Sequence, residues 1–284
     1  EVSDECADFL LESGERGARS TTSAPNSGAL GPVMAQPISL STARRVVVLL
    51  LLLQIALQVA LLLKGTDYIV TGLTIDDTYY YLQTAWNMKS LGFVTFDGIH
   101  PTNGVQFLWF WTLFSAVWLV NTKIAFLRLA LVVCIILNAL SYLAILSIGN
   151  TQNRSALMLV IGVLWFNANV VGDRTYLSGM ENSLHALIVW STVAYVLRLS
   201  HGKKELGAKE LSLVAVLLVL NVWTRVDAAI LSLLLFAAVL WLSRARITVP
   251  AILASLAVVT LGAGLLLAGF YLMGGSVLPV SGLI

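Results

Sequence analysis

Two adjacent carboxylates, Asp76 and Asp77, stand in the run Thr74-Ile75-Asp76-Asp77-Thr78-Tyr79-Tyr80-Tyr81, just beyond the first long apolar stretch of the chain. Acids held at a membrane edge are costly to desolvate, which makes them candidates for function by default. A carboxylate in such a place can act as a general base, taking a proton from a hydroxyl. The spacing Thr74-x-x-Asp77 also fits a capping box, in which the hydroxyl caps a helix start and the acid reaches back. On that reading Asp77 is structural and Asp76 is the freer carboxylate, kept ionised by the positive end of the helix. Asp76 and Tyr80 then share one helix face, and Asp77 and Tyr81 another. Each tyrosine equally suits an aromatic anchor at a membrane interface.

Further polar residues punctuate the apolar text. Asp97-Gly98 and Asn103-Gly104 are turn dipeptides on either side of Pro101. They make a compact loop, or they present His100 and Asn103 to a cavity floored by residues 105–121. Ser178-Gly179-Met180-Glu181-Asn182 opens another apolar segment, where Glu181 reads at the least as compensation of a helix dipole. Thr224-Arg225-Val226-Asp227 joins two apolar segments with almost no linker. Arg225 and Asp227 either pair with each other, or Arg225 offers its parallel donors to an anionic phosphate. Arg174 is a second candidate cation and Lys89 a third.

The elements that must position these residues are membrane helices. Hydrophobic residues make up 58% of the chain, charged residues 11%, and the mean hydropathy is +0.87; a soluble domain carries roughly 25% charge. A bilayer core of ~30 Å needs about 20 apolar helical residues, and several runs supply them. Cys6 and Cys134 are the only cysteines, so no disulfide framework, zinc finger or redox motif is available. No nucleic-acid partner is expected. Residues 1–43 read as a disordered tail; the acid-rich part up to residue 33 buries no periodic face and reads as an upstream extension before a natural start near Met34. The run 46–63 is expected to be a retained helix rather than a cleaved signal.

Eight apolar segments stand out: 46–63, 105–121, 124–148, 155–171, 183–199, 211–224, 228–243 and 247–272. If all eight cross, Lys203, Lys204, Lys209, Arg244 and Arg246 fall outside, against the positive-inside rule. If 105–121 lies at the outer interface instead, those residues join Arg44, Arg45, Arg154 and Arg198 on the cytoplasmic side. Seven of the nine acids after residue 33 then lie opposite. Charge therefore favours about seven crossings. Trp109, Trp111 and Trp118 suit the headgroup layer on this reading.

The segment DDTYYYLQTAWNMKSLGFVTFDGIHPTNG, followed by Leu108-Trp109, resembles the first external loop of bacterial type-C glycosyltransferases that use polyprenyl-phosphate sugars. SGMEN, TRVDA and GSVLPVSG resemble further segments of that family, in family order, over residues 74–282. The resemblance implies an all-α, polytopic module at 44–284, with about seven transmembrane helices, juxtamembrane helices in an external loop at 65–104, and a C-terminal part missing here. It implies transfer of a sugar, with inversion, from a polyprenyl-phosphate donor to a hydroxyl of a glycan, lipid or protein. The reaction would lie on the extracytoplasmic face of a bacterial cytoplasmic membrane, with the N-terminus cytoplasmic and membrane lipids around the helices.

On the same resemblance Asp76 is the general base beside Asp77. Arg225, then Arg174, meets the leaving phosphate, and Glu181, His100, Asn103, Tyr80 and Asp227 bind substrate. A divalent metal held by Asp76, Asp77 and another acid belongs to some branches; no other cofactor is implied. The chain departs from the family pattern at Gln106-Phe107, where His-Pro is expected, at Val226 for Pro, and at Ala228 for Gly. Two rival classes are a transporter or flippase for lipid-linked sugars and a non-catalytic structural subunit. A transporter usually carries inverted repeats, and none is visible. A structural subunit leaves the ordered polar motifs unexplained.

Overall fold

The computed structural model describes residues 38–149, 154–170, 177–201, 206–244 and 246–279. Of the expected N-terminal tail, residues 1–37 lie outside the described residues. The end of that tail, residues 40–43, is helical rather than disordered. Helix α1 (Leu40–Leu62) starts there because Ser39 caps it, its Oγ accepting from the Thr42 amide at 3.1 Å. Ala43, Val47, Gln54 and Gln58 form the one buried stripe of α1, while Leu49, Leu52, Leu53 and Leu57 face outward. A helix that leaves such residues exposed suits a hydrocarbon surround rather than water.

A short turn of helix, α2 (Thr66–Tyr68), runs into a π-turn at Ile69–Leu73, and α3 follows (Asp76–Leu91). After the loop come α4 (Phe107–Val117), α5 (Lys123–Ile148), α6 (Ser155–Val170), α7 (Asn182–His201) and α8 (Ala208–Thr224). A single 3-10 turn at Val226–Ala228 leads into α9 (Ala229–Ser243), and α10 (Val249–Gly274) completes the order. The described residues contain no β-strand, only two isolated bridges. The fold is all-helical, and α1, α5, α7 and α10 are long and apolar enough to cross a membrane. Helices α6 and α9 are apolar but shorter, and α8 has 17 residues.

Helix α4 has 11 residues. At ~1.5 Å per residue it is about 16 Å long, roughly half of a ~30 Å hydrocarbon core. It packs against α3, α5, α8 and α10, and its aromatic residues split by face. Trp109 is fully buried and Trp118 largely exposed, so Trp109 packs against protein and Trp118 offers its ring to the surround. Trp109 belongs to the core cluster with Phe110, Leu113, Phe126 and Leu131.

Lys89 ends α4 from outside. Its Nζ donates to the Val117 and Val120 carbonyls at 3.0 and 2.9 Å and lies over the rings of Trp86 and Trp118. A cation at the negative end of a helix, satisfying orphan carbonyls, is a cap. Lys89 is therefore committed to structure and is not a free anion ligand. Lys89→Met should cost about 1.5–3 kcal/mol, the scale of hydrogen bonds to a charged group, read as a fall in thermal unfolding temperature in detergent.

Candidate active site

Helix α3 sets the site. Thr74 does not cap it: its hydroxyl contacts the Ile69 and Val70 carbonyls at 3.1 and 3.0 Å and pairs with the Tyr79 hydroxyl, closing the π-turn. The N-cap position falls to Ile75, which has no side-chain acceptor. The expected capping box is absent, and Asp77 is released from it. Asp76 and Asp77 occupy the first two positions of α3, both exposed, with no hydrogen bond or ion pair among the described residues.

A cavity of about 220 Å³ opens beside them, walled by Asp77, Tyr80 and Tyr81 of α3, the Gly104–Gln106 link, Val226 and Pro279. Asp77 lines it; Asp76 does not. Four stretches separated in sequence thus share one cavity, because the link before α4, the turn between α8 and α9 and the segment after α10 all reach the start of α3.

The Ser178–Asn182 stretch supports that wall from behind. Thr78 Oγ1 donates to the Ser178 carbonyl at 2.7 Å. Gly179 has φ +86°, and a Cβ there would sit 2.8 Å from Thr78 Cγ2. Only glycine meets both demands without strain. Gly179→Ala should destabilise by about 1–3 kcal/mol from backbone strain alone, seen as a lower unfolding temperature.

Glu181, almost wholly buried, follows. Its Oε1 lies 3.7 Å from Arg225 Nη1, and its Oε2 has no hydrogen-bond partner among the described residues. Arg225 Nε and Nη2 donate to Asp227 Oδ1 and Oδ2 at 3.1 and 2.9 Å, and Nη1 donates to Asn182 Oδ1 at 2.9 Å. Three of the five guanidinium N–H groups are thereby in use. Arg225 and Asp227 do pair, which was one of the two readings of this turn.

Charge follows burial. Burial pushes the Glu181 carboxyl up, with Arg225 partly opposing. The Arg225 hydrogen bond holds Asp227 down, and Asp227 in turn raises the guanidinium. Tyr81 is raised by burial first, then by Glu181 and Asp77, so it remains a neutral phenol able to donate. Asp77 acts electrostatically on both Tyr81 and Glu181. Asp77, Tyr81, Glu181, Arg225 and Asp227 therefore share one field, with three carboxyls to one guanidinium. An arrangement rich in carboxylates suits hydroxyl ligands and proton acceptance.

The remaining expected site residues sort clearly. Tyr80 lines the cavity, its hydroxyl 2.8 Å from Thr102 Oγ1 and its ring stacked on Phe96. His100 does not face the cavity: its side chain is 80% exposed and its Nδ1 meets Asp97 Oδ2 at 2.7 Å. Asp97 Oδ1 also accepts the Ile99 and His100 amides in an Asx-type turn; the His100 ring first, then these amides, hold the Asp97 carboxyl well below the usual range. Asn103 is fully buried, and its Nδ2 donates towards the Phe270, Ser276 and Leu278 carbonyls. It is a staple that brings the segment after α10, and hence Pro279, to the cavity. Arg174 lies outside the described residues. Among the described residues no three His, Cys, Asp or Glu side chains gather to hold a metal, so Asp76, Asp77 and a third acid form no donor set there.

Sequence reasoning did not single out Tyr81 as a cavity wall, nor Gln106 or Asn182 as partners of the Arg225 turn. Tyr81 was within reach, since it follows Asp77 by one helical turn. Gln106 Oε1 accepts the Val226 amide at 3.3 Å. Gln106 and Val226, two positions singled out above, are thus partners across the turn in this chain. Phe107, next to Gln106, puts its ring edge-to-face with Trp223 and Phe270.

Comparison with known protein families, characterised proteins and solved structures yields no match.

Proposed function

We propose that this chain is the transmembrane module of a glycosyltransferase, moving a sugar from a polyprenyl-phosphate donor to an acceptor hydroxyl at the extracytoplasmic face of the membrane. One observation carries the reading. Asp77 and the turn after Arg225, far apart in the chain, wall a single cavity backed by the buried Glu181. About seven crossings accompany the proposal: α4, at half a bilayer in length, stays at the interface, while α1 and α5 to α10 cross. The separation of acids from bases along the sequence supports that topology.

In the proposed step Asp77 takes the acceptor proton while the acceptor oxygen bonds to the anomeric carbon. The bond from that carbon to the phosphate oxygen breaks, the polyprenyl phosphate leaves with the electron pair, and configuration inverts. Asp77 takes the role that the sequence assigned to Asp76, because Asp77 faces the cavity. Asp76, at the adjacent exposed position, adds charge nearby. Tyr81 and Tyr80 line the cavity and offer hydrogen bonds to sugar hydroxyls, with the Glu181 carboxyl behind that wall. Arg225 retains two N–H groups after its three bonds, and a phosphate there competes with Asp227 for the rest. Charge placed where the leaving group develops favours the transition state.

The test is transfer itself. Membranes containing the chain are supplied with labelled hexosyl and pentosyl polyprenyl phosphates. Label should pass to an acceptor with stoichiometric release of polyprenyl phosphate for at least one donor. Release without transfer, or no reaction with any donor, contradicts the proposal.

A further inference from the structure

On the opposite side of α3 from the candidate active site lies a second pocket, of about 430 Å³, between α3, the π-turn and the start of α5. The Tyr80–Phe96 stack stands between the two, since Tyr80 lines one and Phe96 the other. Leu82, Phe126 and Leu127 make its floor apolar, and Tyr79, Trp86 and Phe96 give it aromatic walls. Its charged lining residue is Lys123, and no carboxylate lines it.

Lys123 is the first residue of α5, one of the helices long enough to cross a membrane. The ammonium thus sits where hydrocarbon gives way to water. A lysine that merely snorkels to the interface needs no fixed partner. This one is held. Its Nζ donates to Gln83 Oε1 at 2.8 Å, Gln83 Nε2 donates to Asn87 Oδ1 at 2.7 Å, and Asn87 Nδ2 donates to the Thr95 and Phe96 carbonyls. That chain fixes the ammonium at the rim without neutralising it; Lys123 has no ion pair among the described residues. A preorganised cation above an apolar, aromatic pocket matches an amphiphile with one anionic group at its head.

We infer that this pocket is a binding site for the head group of an anionic phospholipid, with the phosphodiester on Lys123 and the first chain carbons on Phe126 and Leu127. The inference is independent of the transferase reading, because it uses neither Asp77 nor Arg225. A bound lipid would brace Phe96 from the side opposite Tyr80, and so the wall of the neighbouring cavity.

Native mass spectrometry of the full chain in detergent, titrated with phosphatidylglycerol and with phosphatidylcholine of the same acyl chains, tests it. Wild type should retain phosphatidylglycerol more tightly than phosphatidylcholine. Lys123→Gln should lose about five- to tenfold for phosphatidylglycerol only, the scale of one interfacial lysine, and Lys123→Arg should keep most of it. Leu127→Trp fills the floor and should lower binding of both lipids while leaving the charge in place. Equal binding of the two lipids by wild type overturns the inference, as does undiminished phosphatidylglycerol binding by Lys123→Gln or by Leu127→Trp.

Discussion

Asp77→Asn should lower the turnover of sugar transfer by about 10²–10⁴-fold, the usual contribution of a general base, with the fold intact. Asp77 is exposed and makes no hydrogen bond or ion pair among the described residues, so an isosteric amide leaves no buried partner stranded. Surface changes of this kind usually stay within about 0.5 kcal/mol in stability. Asp76→Asn should have a much smaller effect, because Asp76 is not a cavity wall. The check is steady-state transfer of labelled sugar in proteoliposomes containing each variant. A larger loss in Asp76→Asn than in Asp77→Asn would return the base to Asp76 and overturn the cavity assignment.

Arg225→Ala should have the largest effect on stability. It removes the cation 3.7 Å from the buried Glu181 and strips two hydrogen bonds from Asp227 and one from Asn182. Breaking a fully buried ion pair costs ~3–5 kcal/mol; the solvated Asp227 side brings this case below that range. The deficit should depend on pH in a definite sense. Arg225 lowers Asp227, so its stabilisation is present above the ordinary carboxylate range and is lost as pH falls. Glu181 is raised by burial, so protonation already favours the folded state at lower pH, and a protonated Glu181 needs no counter-charge. Both effects shrink the deficit of Arg225→Ala on acidification and enlarge it towards neutral pH. Adding Glu181→Gln to Arg225→Ala should recover part of the loss, because a buried amide costs less than an unpaired carboxylate. Thermal unfolding in detergent across that pH range measures all three. A deficit that is independent of pH would mean that Arg225 acts by packing alone.

How much of this was legible depends on whether the partner of each residue was local. Charge set 105–121 apart from the other apolar segments, and its helix α4 is indeed short, with 11 residues. The approach of Ser178–Asn182 and Thr224–Asp227 to one end of the bundle followed from the same count. The capping box expected of Thr74 and Asp77 is absent for a specific reason. Thr74-x-x-Asp77 has the spacing of a capping box, but a π-turn just upstream leaves two carbonyls that take the Thr74 hydroxyl first. Nothing in the periodicity of Ile69–Leu73 announces a π-turn.

Asn103 and Lys89 failed for the opposite reason, since their partners are distant backbone carbonyls, of residues 270–278 and of residues 117 and 120. Backbone acceptors leave no signature in sequence. His100 found its partner three residues away in Asp97, and the Asp97-Gly98 turn was the signal for it.

The most direct measurement asks whether the start of α3 and the turn after Arg225 share one water-filled chamber on the outer side. Single cysteines at positions 77 and 226, in a background with Cys6 and Cys134 replaced by serine, are exposed in intact cells to a membrane-impermeant maleimide, and the double variant to a short thiol cross-linker. Both positions should label from outside, and the pair should cross-link within one chain. Labelling from opposite sides of the membrane, or two outward-facing thiols that never bridge, would leave base and phosphate ligand without a common substrate.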